Sequence, residues 1–283
     1  IDHNGGLILT VSLIWEGTSL NYYDLQALKD FRSKFPEISF IQMLNPSYFL
    51  SSKKAKNIRK KISSVLSSHD TLGLHIHPTK KLIHYSKVKF LSSPTFWGHS
   101  VNKVDCDDYC GHEVPLSAYK QEDIKKILYT SLKLWNNFKL KGQPQVFLAP
   151  AWMASHQVLS EVEKLGIEYD ISAINPKRVS SLLSNYPLAS WIENLWHDID
   201  LSSQIKEVPL EKGKIIKSFP LNVGTLDYHD NHSLWSLYIK SLDEIKKGEW
   251  KTFHLGLYQE TASSELIKLE RFLNKIISTT KNV

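Results

Sequence analysis

Cysteine is scarce: two residues in a chain of 283 exclude a disulfide-stapled scaffold. Long apolar runs are missing as well. No stretch approaches the roughly 18 residues that a membrane-spanning helix needs, and mean hydropathy is −0.27, so no transmembrane segment is expected. A strong charge bias is also absent. The 35 basic and 29 acidic residues leave a formal +6 and a pI near 9.0, with the lysines scattered instead of gathered in an arginine-rich stripe. Nucleic acid is therefore not an expected partner. No Gly-x-Gly-x-x-Gly follows a strand-like run and no P-loop occurs, which removes the main support for a nucleotide fold. Nor is there an internal repeat or a low-complexity tract.

What is present is material for one large core: 42% of residues are hydrophobic and 23% charged. The length is near the upper limit for a single core, and no linker composition interrupts it, so residues 1–283 read as one barrel-sized domain. Leu7–Ile14 is a continuous β-branched and apolar run of strand length. Helical spacing follows over Tyr23–Phe31, strand character over Ile38–Met43, an amphipathic lysine-rich helix over Ser52–Leu66 and a short strand over Thr71–Ile76. The alternation resumes with a helix over Gln121–Phe138, a strand over Gln145–Leu148, a helix over Ser155–Leu165 capped by Ser155 and Gly166, and a strand over Tyr169–Ser172. Residues 175–218 are turn-rich and read as excursions without hairpin signals. A helix over Leu234–Lys246, a strand over Lys251–Leu257 and a helix over Ser263–Ile277 close the chain. Six or seven strand–helix units predict a parallel sheet covered by helices, an irregular barrel in preference to an open dinucleotide-binding sheet.

In such folds the reactive groups collect at the C-terminal ends of the strands, where the loops converge. Those ends read Trp15-Glu16-Gly17, Asn45-Pro46, His75-Ile76-His77-Pro78 and Ala149-Pro150-Ala151-Trp152, with Asp170 in the next strand and His254 in the last. His75 and His77 are two apart, so a strand directs both to one face, where neutral imidazoles can share a divalent ion. Glu16 is the carboxylate that would complete three ligands and leave a position open for water. The 12 histidines otherwise fall mostly on loops or helices, with His99 and His112 in the irregular stretch after the third strand. Cys106 and Cys110 stand four apart, short of the four ligands of a structural zinc site, and read as a polar loop in a reducing compartment, which makes the cytoplasm the expected location.

Taken in order, these pieces resemble the polysaccharide deacetylases, also called NodB-homology or carbohydrate esterase family 4 domains. Leu13-Ile14-Trp15-Glu16-Gly17 looks like a variant of the opening strand that ends in two acidic residues and a glycine. Gly73-Leu74-His75-Ile76-His77-Pro78 is similar to the metal motif, which usually reads His-Ser/Thr-x-x-His. Phe147-Leu148-Ala149-Pro150-Ala151-Trp152 is similar to the Arg-x-Pro motif, Tyr169-Asp170-Ile171-Ser172 to the strand after it, and Phe253-His254-Leu255 to the final Leu-x-His motif. The resemblance implies a deformed (β/α)7 barrel, a divalent metal, zinc above all, and hydrolysis of N-acetyl groups on N-acetylhexosamine units of a polysaccharide or glycan. By position it makes Glu16, His75 and His77 metal ligands, Glu16 and His254 the catalytic pair, and Trp15, Trp152 and Asp170 substrate contacts. Three departures stand out. Trp15 occupies the place of the family's catalytic base, Leu148 that of its arginine, and Thr79 that of the second ligand histidine. Three readings follow: an active deacetylase with an atypical base, Glu16 or another carboxylate with Asp24 or Asp170 helping; a degenerate domain that binds carbohydrate on Trp15, Trp97 and Trp152 without turnover; or another hydrolase or structural domain on this fold.

Overall fold

The computed structural model describes residues 5–17, 20–101, 106–137, 142–246 and 248–280. Its first strand, β1 (Gly6–Ile14), passes from half-buried to fully buried along its length, as expected of an apolar run whose far end enters the core. The remaining strands are β2 (Ile41–Leu44), β3 (Thr71–His75), β4 (Val146–Leu148), β5 (Tyr169–Asp170), β6 (Lys206–Pro209), β7 (Ile215–Ser218), β8 (Gly224–Thr225) and β9 (Trp250–Tyr258). They form one curled sheet in the order β6-β7-β5-β4-β3-β2-β1-β9-β8. Every pairing is parallel except β6 with β7. A single parallel bridge, Ile174 to Leu221, also draws the segment after β5 against the one before β8.

The helices between strands are α1 (Tyr22–Lys34), α2 (Ser52–Ser63), α3 (Lys80–Tyr85), α4 (Gln121–Asn137), α5 (His156–Glu163), α6 (Pro176–Val179), α7 (Pro187–Trp196), α8 (Asn231–Asp243) and α9 (Ala262–Thr280). Local chemistry sets their ends. Asn21 caps α1 by accepting from the Tyr23 amide, Ser155 caps α5 by accepting from the Val158 amide, and Pro187 opens α7 where its missing N–H is no loss. Helices α8 and α9 are held on β9 by an aromatic cluster. Phe253 stacks on Phe272 at 6.0 Å and meets Tyr238 edge-on at 5.9 Å, contacts worth about 0.5–1.5 kcal/mol per pair beyond burial.

Two expectations change here. The turn-rich segment before residue 218 contains an antiparallel hairpin, β6 with β7, and the helices α6 and α7. The hairpin escaped because its strands are four residues long and mostly exposed or half-buried, so they carry little hydrophobic pattern. His254 does not stand at a strand end either. It pairs with Thr10 in mid-strand, four residues before the end of β9, about 13 Å back along the strand axis.

Candidate metal centre

Glu16 lies two residues past β1, where the chain has to turn under the sheet's C-terminal edge. Gly17 makes the turn at φ +87°, and a Cβ there would sit 2.6 Å from the Asn45 side chain. That closeness is used. Fully buried Asn45, just past β2, donates its Nδ2–H to the Glu16 carbonyl at 2.8 Å, while the Glu16 amide donates to Glu260 Oε1 at 3.2 Å. The backbone of Glu16 is thereby fixed from both neighbouring strands.

His75 ends β3 and His77 follows two residues later, their rings 4.8 Å apart and nearly perpendicular. His75 Nδ1–H donates to the Leu148 carbonyl at 3.0 Å, and His77 Nδ1–H to the His112 carbonyl at 2.7 Å. A carbonyl only accepts, so each ring carries its proton on Nδ1 and turns the Nε2 lone pair inward. Both Nε2 atoms are buried and have no partner other than the Glu16 carboxylate. They face the Glu16 carboxylate at 3.5 Å from His75 and 2.7 Å from His77, and the three ligand atoms lie within 4.8 Å of one another. Lone pairs this close to a carboxylate call for a positive charge between them. A histidine donating its other nitrogen to a carbonyl is the usual outer support of a zinc ligand, so the donor set fits a divalent ion on its own chemistry.

The electrostatics couple the same three groups. Burial alone would raise the Glu16 carboxyl, yet His77 and His75 together hold it well below the usual carboxylate range. Burial alone would lower His77, yet Glu16 pulls it upward. The outer support is itself built by a glycine: Gly111, at φ +86°, sets the turn that presents the His112 carbonyl, and a Cβ there would meet Phe90 at 2.5 Å and the Pro78 carbonyl at 3.0 Å.

A cavity of about 220 Å³ opens onto Glu16 and His77. Its walls are Phe96, Trp97, Ala151, Trp152, Leu183, Leu188, Tyr228 and Tyr258, with His112 beside His77. That volume is below the roughly 300–1,000 Å³ of a pocket for a drug-sized ligand, and suits one ring or an acyl group. Ala151 and Trp152 both adopt left-handed backbone, at φ 47° and 62°, a strain that persists only where the surroundings impose it. Here the Trp196 indole N–H clamps the Trp152 carbonyl at 2.8 Å. A second cavity, about 510 Å³, is lined by Tyr48, Thr79, Lys61 and Lys81 among others.

The structure thus brings Glu16, His75, His77 and Trp152 together, and Trp97 and His112 join them. The other expected site residues are elsewhere. His254 is fully buried, with Nε2 2.8 Å from Ser12 Oγ and Nδ1 3.1 Å from the Pro220 carbonyl, and burial pushes it down to about 3. Engaged at both nitrogens inside the core, it is a structural histidine and not the expected acid. Trp15 is fully buried too. Its indole N–H donates to Gln42 Oε1 at 2.8 Å, and Gln42 donates onward to Asp70, the partner of Arg32, so it offers no face to a sugar. Asp170 is 0% exposed and accepts from the Ser172 hydroxyl and amide, which removes it from contact with substrate. Asp24 accepts from the Ser263 amide at the start of α9 and serves packing. Leu148 is core, although its carbonyl orients His75. His99 offers its carbonyl to the Thr95 hydroxyl. Both cysteines are free, and they do not join the metal-ligating trio among the described residues.

Sequence reasoning missed Glu260, Tyr48 and Tyr258. Glu260 Oε1 accepts from the Tyr48 hydroxyl at 3.0 Å as well as from the Glu16 amide, and burial with the nearby Glu16 charge pushes its carboxyl up to about 7. The available signal was positional: Glu260 stands two residues past β9, as Glu16 stands two past β1.

No protein-family model matches the chain, and no curated protein matches it. Solved structures do. A protein from Mycobacterium smegmatis, provisionally named a polysaccharide deacetylase, superposes with a TM-score of 0.56 at 10% identity over 96% of this chain and 84% of its own. A second protein provisionally so named, involved in O-antigen biosynthesis in Bordetella bronchiseptica, gives 0.41 at 13% identity over 91% and 73%. The 4-alpha-glucanotransferase of Thermococcus litoralis gives 0.47 at 10% identity over 96% of this chain and 37% of that one. The likeness rests on the first of these, and at 10% identity it is a likeness of fold: this chain has a polysaccharide deacetylase-like fold.

Proposed function

We propose that residues 1–283 form one polysaccharide deacetylase-like domain, a metal-dependent hydrolase that removes N-acetyl groups from N-acetylhexosamine units of a glycan. The observation that carries this reading is the pair of buried, inward-facing Nε2 atoms of His75 and His77, with no partner but Glu16, at the mouth of an aromatic cavity. The curled, mostly parallel sheet supports the reading of a deformed (β/α)7 barrel as well, with the Ile174–Leu221 bridge extending the contact between the segments after β5 and β7. Glu16, His75 and His77 would hold the ion, zinc by the nitrogen-rich donor set. When bound, such an ion supplies Lewis acidity toward a carbonyl and lowers the pKa of water. The chain's own contribution is orientation and dryness. Leu148 and His112 carbonyls fix the imidazoles, Trp97 and Trp152 flank a sugar ring, and Phe96, Leu183, Leu188 and Tyr258 enclose the acyl end and exclude bulk water. Two free thiols suit the cytoplasm. No described helix is long and apolar enough to cross a membrane.

A second reading, carbohydrate binding without turnover, is favoured by Trp15 and Leu148, core residues where the resembled family carries its base and arginine. One experiment separates them. Purified protein is loaded with zinc, assayed for metal content, and incubated with chitooligosaccharides while free amine is measured. Equimolar zinc, lost in Glu16→Ala, with amine release abolished by chelation supports the hydrolase. Zinc and glycan binding without amine release supports the second reading, and a protein that takes up no zinc sinks the metal centre.

A further inference from the structure

We propose that Glu260 is the second carboxylate of this centre, a positioning residue that acts through Glu16 and balances the charge of the ion. The inference rests on the metal-centre reading above and adds a residue to it. It starts from register. β1 and β9 run parallel with Ile14 opposite Tyr258, so two further residues on each chain bring Glu16 and Glu260 to equivalent places beyond the sheet edge. The two are joined there: Glu260 Oε1 accepts the Glu16 amide at 3.2 Å and the Tyr48 hydroxyl at 3.0 Å. Its other oxygen, Oε2, is buried and has no hydrogen-bond partner.

A buried acceptor left open in this way is a liability unless a proton or a cation meets it. The trio supplies the reason. One carboxylate and two neutral imidazoles leave a dication with a net charge of about +1 in a buried site, and a second carboxylate beside them brings the sum to zero. Glu260 is the carboxylate placed for this. Trp15, the residue before Glu16, is a core residue bonded to Gln42; Asp170 is engaged by Ser172 and Asp24 by Ser263. Glu260 also stands outside the cluster of mutually close ligand atoms, beside the trio and not within it.

Zinc affinity by competition titration tests the assignment without any turnover. In Glu260→Gln the amide oxygen still accepts from Glu16 and Tyr48 while the charge is gone, so affinity is expected to fall about 10- to 100-fold, the loss typical of an outer partner. Tyr48→Phe removes the hydroxyl that bonds Glu260 and the Gly17 backbone but keeps the charge, and is expected to lower affinity less than E260Q does. The zinc-free melting temperature of E260Q should stay with that of wild type, a readout that separates charge from folding. Should E260Q fail to fold, Glu260→Asp, which keeps the charge, is expected to bind zinc within about tenfold of wild type. Wild-type affinity in E260Q, or a loss as large in Y48F as in E260Q, overturns the role of Glu260 and leaves the centre standing. A loss in E260D as large as that of His77→Ala does the same. A wild-type protein that binds no zinc overturns the centre and this inference together.

Discussion

Replacing Asp170 by asparagine changes one atom in the core and should change how stability depends on pH. Asp170 ends β5 with no exposed surface; its Oδ1 accepts from Ser172 Oγ at 2.5 Å and from the Ser172 amide at 3.2 Å, while Oδ2 is buried without a partner. Burial raises the carboxyl more than those two hydrogen bonds lower it, and the result is about 7. The unfolded chain has an ordinary value near 3.9, so between the two values the fold holds a proton that the unfolded chain has released. Stability therefore falls as pH rises through that window. A gap of about three pH units at about 1.4 kcal/mol each makes the full penalty roughly 4 kcal/mol above pH 7, shrinking to about 1 kcal/mol near pH 4.5. The neutral amide of the variant carries no such penalty. Urea unfolding of both proteins near pH 8 and near pH 4.5 should show D170N gaining on wild type by about 3 kcal/mol at the higher pH relative to the lower. His254 works with the opposite sign, since a histidine pushed down to about 3 withdraws stability as pH falls below its unfolded value. Acidification should accordingly destabilise D170N more steeply than wild type, where the two effects oppose each other. A difference between the proteins that is the same at both pH values would refute the reasoning.

Two further outcomes follow from the centre's surroundings. Gly111→Ala places a methyl 2.5 Å from Phe90 and strains a φ of +86°, so the His112 carbonyl should shift and zinc affinity should fall about 10- to 100-fold; unchanged affinity would show that His77 does not depend on that carbonyl. His254→Leu should leave zinc stoichiometry and any amine release intact while lowering stability by about 1–3 kcal/mol, because Ser12 Oγ loses its buried partner; a large loss of turnover at wild-type stability would return His254 to the chemistry.

The parts of this molecule legible in its sequence are those whose information is local. Helix α4 was readable to within a residue because a 17-residue amphipathic repeat leaves one solution, and the residue at which that reading ended, Phe138, lies outside the described residues. The His75–His77 pair was readable because strand parity alone directs two residues to one face. His254 misled for a complementary reason. Its motif resemblance placed it at the site, whereas its place along β9 is set by pairing with β1, and an apolar strand reads alike at its middle and its end. Trp15 misled similarly, since an indole at a strand end looks equally like a stacking surface and like the core residue its bond to Gln42 makes it.

Glu260 shows what a single sequence withholds even when every element is correctly drawn. It sits in a polar turn between β9 and α9, where glutamate reads as an ordinary first-turn companion of a helix N-terminus. Its meaning comes from the adjacency of β1 and β9, whose following glutamates are 244 residues apart and meet only because the chain comes back on itself. Once that pairing is known, little else is needed. The two residues past each strand end must lie side by side, both chains carry a glutamate there, and one oxygen of the second is already committed to the backbone of the first. A carboxyl group supplied from a neighbouring strand leaves no trace in the motif, which is why the pattern at Trp15 reads as a loss while the structure sets a second carboxyl beside Glu16.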